Sequence, residues 1–168
     1  MRKVIVCDYD QNWKRQFQAA AAEIQEVFGK ECLAIHHIGS TAVAGLAAKP
    51  IIDLMPVVKD IELVDQFNTK MKQLGYESKG ENGLPGRRYF QKGGDERTHH
   101  VHVYETGNSE IKRHLVFREY LKKHSIEAEK YGTLKKELAM KYPTDIEQYI
   151  RGKESLVKEI EKQALEGF

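Results

Sequence analysis

The sequence predicts an α+β fold with a mixed sheet, and three observations predict it. Short stretches of strand character alternate with helical ones over the first 107 residues. Within that part "IIDLMPVV" is almost wholly apolar, the mark of a strand inside a sheet rather than at its edge. From Asn108 onward the apolar period is helical throughout.

The elements follow in order. "KVIVCDYD" alternates like a short strand, and Asp10 is placed to cap a helix over "NWKRQFQAAAAEIQEVF". There Trp13, Phe17, Ala20, Ile24, Val27 and Phe28 recur at helical spacing and read as core. "CLAIHHIG" is a second strand and "IIDLMPVV" a third. Asp60 caps the next helix, "IELVDQFNTKMKQL", which Gly75 ends. "YESKG" suits an edge strand, "ENGLPG" a turn, and "RRYFQKGG" with "THHVHVYE" a pair of adjacent strands. Three helices complete the chain: "NSEIKRHLVFREYLKKH", a second capped by Ser125 and stopped by Pro143, and a third opened by the capping-box pattern Thr144 to Glu147. The expected organisation is a core over 1–107 and a helical extension over 108–168, packed into a single compact unit.

Composition narrows the function classes. With 168 residues, 40% hydrophobic and 31% charged, the chain is an ordered globular protein. No run approaches the roughly 18 apolar residues of a membrane span, so no membrane is expected as a partner. The apolar run near the start is too short for a signal peptide, and Cys7 and Cys32 lack metal or redox spacing, which suits buried thiols and a cytoplasmic location. A net charge of +2 and no aromatic-rich basic strand speak against nucleic acid. Between Lys112 and Lys136, eight basic residues face three acidic ones. That run is either a solvated helix face or a positive wall for a phosphorylated ligand.

Chemistry concentrates in "HHIGSTAVAGLAAKPIID". Gly39 lets the backbone approach a phosphate, Ser40 offers a hydroxyl, and a helix start supplies free N–H groups. Asp53 then sits within an apolar strand, where a carboxylate needs a cation, a metal or hydrogen bonds. Lys49 could neutralise it, or a divalent metal carrying a triphosphate could.

The run "IGSTAVAGLAAKPIID" resembles the signature of the GrpB family in the nucleotidyltransferase-fold superfamily. "RRYF", "HHVHVY", "FREYL", "YGTLKKELA" and the Tyr and Lys of "QYIRGK" fall in the order of GrpB proteins, so the resemblance covers nearly the whole chain. It implies a nucleotidyltransferase-like core, a mixed sheet with helices mainly on one face. It also implies phosphate contacts at Arg118, Lys135 and Lys153. Tyr149, one helical turn before Lys153, and Arg88 in "RRYF" join them as candidate ligand-binding residues. The superfamily's two-metal chemistry uses two carboxylates on one strand. Here the strand reads Ile51-Ile52-Asp53-Leu54-Met55, with one.

In "THHVHVYE" the strand period puts His100 and His102 on the wetter face and the valines toward the core. Two histidines at that spacing suit a shared metal, a phosphate or acid–base chemistry. Asp53, His100 and His102 are therefore the expected catalytic and metal-binding residues, with Mg²⁺ or another divalent ion as cofactor. A histidine-triad hydrolase is a poor fit, because Thr98 and Tyr104 stand where a further His is needed. Arg97 suits the surface. The expected function is metal-dependent nucleotidyl or phosphoryl transfer. The alternatives are a binding module for a nucleotide or phosphometabolite, and a histidine-metal phosphohydrolase.

Overall fold

A computed structural model describes residues 2–167 of the chain. Helix α1 (Asn12–Phe28) opens where the Asp10 carboxylate accepts the Asn12 N–H at 2.8 Å, and it buries Trp13, Ala20, Ile24 and Phe28 along one stripe. A 3₁₀ turn then feeds β1 (Cys32–Ile38), and a small-residue loop leads to β2 (Ile52–Val58). The stretch "KVIVCDYD" is a correction to the expected strands: it makes only an isolated bridge, Cys7 to Ala48.

The expected single helix after β2 is divided. Ile61–Phe67 is 3₁₀, with Asp60 accepting the Glu62 N–H, and α2 (Asn68–Gln73) is regular. Gly75 closes it at φ +98°, a conformation open to glycine. Strands β3 (Tyr76–Ser78), β4 (Arg87–Lys92) and β5 (His99–Glu105) complete one sheet in the order β1-β2-β5-β4-β3. Only the β2–β5 pair is parallel, so the sheet is mixed and β2 lies inside it. The short β3 is an edge.

Helices α1 and α2 cover one face, where Ile52, Leu54, Val101 and Val103 join Ile24 and Met71 in the main core. The other face receives α3 (Ser109–Lys123), capped by Asn108, followed by α4 (Ser125–Lys141) and α5 (Ile146–Glu166). Ile111 and Leu115 of α3 pack on Ile38, Met55 and Tyr104, closing one end of that face. Farther out, Val43 and Leu46 pack among α3, α4 and α5, and Val4 packs against Leu138 and Tyr149. Two expected caps differ. His124 occupies the cap position of α4, with no side-chain hydrogen bond. Asp145 caps α5 by accepting the Gln148 N–H, in place of Thr144. No helix among the described residues is long and apolar enough to cross a membrane.

Candidate active site

The site forms where β1 ends and β2 begins. Asp53 stands opposite Ile38 across the antiparallel pair and beside His100 across the parallel one. Register thus carries the Gly39–Ser40 turn to one flank of the carboxylate and the histidine strand to the other. Gly39 has φ +72°, and a Cβ there would lie 2.7 Å from Asp53 Oδ2. No larger residue fits without moving the carboxylate. Ser40 begins a 3₁₀ turn through Ala42 that the next strand of contacts holds in place: His37 Nε2 meets Thr41 Oγ1 at 2.9 Å, while the His37 ring stacks on Phe17 at 4.6 Å.

Asp53 Oδ1 lies 3.2 Å from His102 Nε2 and 3.5 Å from His100 Nδ1. Burial pushes the Asp53 carboxyl up, but the hydrogen bonds from the two histidines outweigh it and hold the group well below the usual carboxylate range. The three residues each offer one ligand atom within 4.8 Å of the others, close enough to hold a metal. Tyr89 packs on both imidazoles, with centroids 5.7 and 5.3 Å away.

Beside them a cleft of about 260 Å³ runs under α4 and α5, lined by Ser40, Lys49, Asp53, His100, Lys135, Tyr149 and Lys153 among others. Lys135 is only 2% exposed, and its Nζ has no hydrogen-bond partner. Its ammonium rests 4.3 Å from the centre of the Tyr131 ring. Burial, with Lys153 and Lys49 nearby, lowers its pKa to about 6. Lys49 is lowered to about 8, by burial and then by Lys153 and Arg2. Lys49 and Lys153 both lie over the Tyr149 ring, at 5.1 and 5.2 Å. Tyr149 is fully buried with its hydroxyl unpartnered. Three lysine side chains therefore converge on one cleft with a single carboxylate among them, and an anion bound there would favour their charged forms.

Two expected contacts lie elsewhere. Arg88 opposes Val103 on the face beneath α1 and α2 and pairs with Asp65 at 2.9 Å. Strand parity places it there, because Tyr89 takes the histidine side. Arg118 donates to the His37 carbonyl at 3.0 Å and pairs with Glu119, bracing β1 rather than lining the cleft. The basic run is largely neutralised: Arg113 pairs with Glu110 and Glu161, Lys130 with Glu127, and Lys136 with Asp8. From that run only Lys135 lines the cleft.

The GrpB protein family matches residues 3–163. The chain belongs to the GrpB family. It is 52% identical over 163 residues to the UPF0157 protein YqkA of Bacillus subtilis, covering 97% of this chain but 48% of YqkA, about half its length. The glutamate-rich protein GrpB of Alkalihalophilus pseudofirmus is 34% identical, with 94% of each chain covered. A crystal structure of GrpB from Enterococcus faecalis matches with a TM-score of 0.94 and 47% identity, over 97% of this chain and 98% of that one. A cytoplasmic RNA terminal U-transferase matches with a TM-score of 0.52 at 15% identity, over 75% of this chain and 40% of that one. The fold is nucleotidyltransferase-like.

Within this GrpB chain the position two residues after Asp53 is Met55, fully buried against Ile38 and Tyr104. The site thus holds one carboxylate where a metal pair needs two. Arg2 and Arg97 were not expected here, yet the charge of each is felt at Lys49. Both are half-buried, and neither Arg2, near the start, nor Arg97, in the β4–β5 hairpin, carries a pattern that points at the cleft. The His37–Thr41 pin was also missed, although "HHIGST" contains both partners four residues apart.

Proposed function

We propose that the cleft binds a nucleoside triphosphate or a similarly phosphorylated small molecule together with a divalent metal, and transfers its nucleotidyl or phosphoryl group. The observation that carries this is Lys135: a buried amine with no hydrogen-bond partner, flanked by Lys49 and Lys153, opening onto the same cleft as the Ser40 turn and Asp53. A buried lysine without an anion is costly, and a phosphate chain would supply several negative charges. The Ser40 turn offers backbone N–H groups and a hydroxyl to one phosphate. The three lysines would offset the charge that gathers on the departing phosphates as the bond to the acceptor oxygen forms. A metal bound at Asp53, His100 and His102 would polarise a phosphoryl oxygen as a Lewis acid. The fold shared with nucleotidyltransferases supports the reaction class and leaves the acceptor open.

A second reading is favoured by the lone carboxylate: the cleft binds the phosphorylated ligand and turns nothing over. A panel of ATP, UTP and tripolyphosphate, each with and without divalent metal, separates the readings by calorimetry and product analysis. Binding that weakens about ten- to a hundredfold in Lys135→Met supports the site. Product formation with an added hydroxyl acceptor supports transfer. Release of inorganic phosphate to water alone supports the histidine-metal phosphohydrolase instead. If no member of the panel binds, or all bind Lys135→Met equally well, the lysine cleft is not a phosphate site.

A further inference from the structure

The nucleotidyltransferase fold implies Mg²⁺ held by paired carboxylates, and the residues here do not fit that ion. Mg²⁺ requires near-octahedral oxygen ligands and is bound through carboxylates, water and phosphates. At this site the strand supplies one carboxylate, and the two positions that could hold its partner, Ile51 and Met55, are both buried apolar residues. The remaining donors are two imidazoles, which suit zinc and other first-row transition ions.

We propose that Asp53, His100 and His102 form a mononuclear transition-metal centre of the zinc class, with its remaining coordination positions facing the lysine cleft. Three protein ligands plus an open position is the pattern of a catalytic zinc site. Bonds of about 2.0–2.2 Å at tetrahedral or octahedral angles set ligand atoms roughly 3.0–3.5 Å apart. Asp53 Oδ1 stands 3.2 Å from His102 Nε2 and 3.5 Å from His100 Nδ1, already in that range. The whole set lies within 4.8 Å, so closing on an ion needs a shift of only about 1 Å in the imidazoles. Their orientation is fixed by packing: Tyr89 contacts both rings, and His114 lies 5.8 Å from His102. Asp53 and His100 also line the lysine cleft, so an oxygen of a ligand held there can reach the ion.

This inference rests on the metal half of the proposed function and is independent of its phosphate half. The test uses the chelator-stripped protein titrated with Zn²⁺, Co²⁺ and Mg²⁺ by calorimetry, with Co²⁺ also followed by its visible absorption. Expected is one Zn²⁺ or Co²⁺ per chain, bound at least about a hundredfold more tightly than Mg²⁺, with a cobalt spectrum of nitrogen and oxygen ligation. His102→Gln and His100→Gln should each weaken Zn²⁺ beyond the 10- to 100-fold typical of losing an outer-shell partner. Equal affinity for Mg²⁺, absent Zn²⁺ binding in the unaltered protein, or unchanged Zn²⁺ binding in both variants overturns the proposal. Tripolyphosphate titrated into the same stripped protein reads the lysines without metal, so the two halves fail separately.

Discussion

On the face of the sheet beneath α1, Ile52, Leu54, Val101 and Val103 are fully buried among apolar neighbours. On the opposite face, Asp53, His100 and His102 alternate with those same residues along β2 and β5, yet answer to different demands. Five of the six buried polar side-chain atoms without a hydrogen-bond partner among the described residues belong to that second face or to the helices over it: His100 Nε2, His102 Nδ1, Tyr104 Oη, Lys135 Nζ and Tyr149 Oη. Such atoms cost stability when nothing meets them. Apart from Asn68 Oδ1 on α2, one face is therefore satisfied by the chain itself, and the other is left incomplete, with Lys135 Nζ and Tyr149 Oη beside a cleft where an anion would meet them. The difference teaches that the two faces should answer substitution with opposite signs.

The largest effect is expected on the satisfied face. Ile24→Ala removes a fully buried side chain from the core beneath the sheet and should cost about 2–5 kcal/mol in denaturant unfolding. The protein that remains folded should bind metal and ligand as before. A matching loss of ligand affinity would show that the two faces are one cooperative unit and break the comparison.

Gly39→Ala probes the boundary between them. The left-handed backbone and the 2.7 Å approach to Asp53 both resist a side chain, for about 1–3 kcal/mol of stability. Because the displaced group is the carboxylate proposed to hold the metal, metal affinity should fall along with stability. Unchanged metal affinity would mean that the turn and the aspartate are not coupled.

On the incomplete face the sign reverses. Lys135→Met should weaken a phosphorylated ligand about ten- to a hundredfold while raising the melting temperature, since a buried amine without a hydrogen-bond partner is replaced by an apolar side chain of similar length. The pH dependence follows from the same group. Its pKa of about 6 in the folded chain lies below the unfolded 10.5, so the unfolded chain binds more protons between those values. Stability should then rise with pH across that window by up to about 1.4 kcal/mol per pH unit. The contribution is lowest below pH 6, where both states are protonated. Lys135→Met should flatten the rise, leaving the smaller share that Lys49 contributes above about pH 8. An identical pH profile in the variant would show that Lys135 is not the buried titrating group it is taken to be.

Much of this was legible in the sequence, for reasons that also explain the rest. The bounds of α1 follow from one strong apolar stripe, and the meeting of Asp53 with His100 and His102 follows from strand parity. The opening stretch was misread because alternation alone does not create a pairing partner: Cys7 finds only Ala48. Which lysines face the cleft was not legible either. Helices α3 and α4 carry charge around most of their circumference, so their sequences do not say which side turns inward. Lys135 is buried because Ala128 and Tyr131 hold α4 against Leu46 and Ile160, a tertiary outcome. Arg118, one turn from several other cations, looks the same on paper and has the opposite fate.

That contrast yields the smallest expected effect. Arg118 is partly buried, donates to the His37 carbonyl at 3.0 Å and pairs with Glu119. Its charge is already answered by a carboxylate, so it has little to offer a phosphate, and it does not line the cleft. Its work is to tie α3 to the end of β1, at the very residue whose imidazole pins Thr41. Arg118→Gln should therefore cost about 1–2 kcal/mol of stability, from one charge-assisted hydrogen bond and a partly solvated ion pair. Affinity for any ligand of the lysine cleft should change by less than about threefold, well short of the loss of a direct phosphate contact. Calorimetry on Arg118→Gln beside Lys135→Met makes the distinction directly. If both lose affinity alike, the positive wall extends onto α3, and the division between paired and unpaired cations drawn above is wrong.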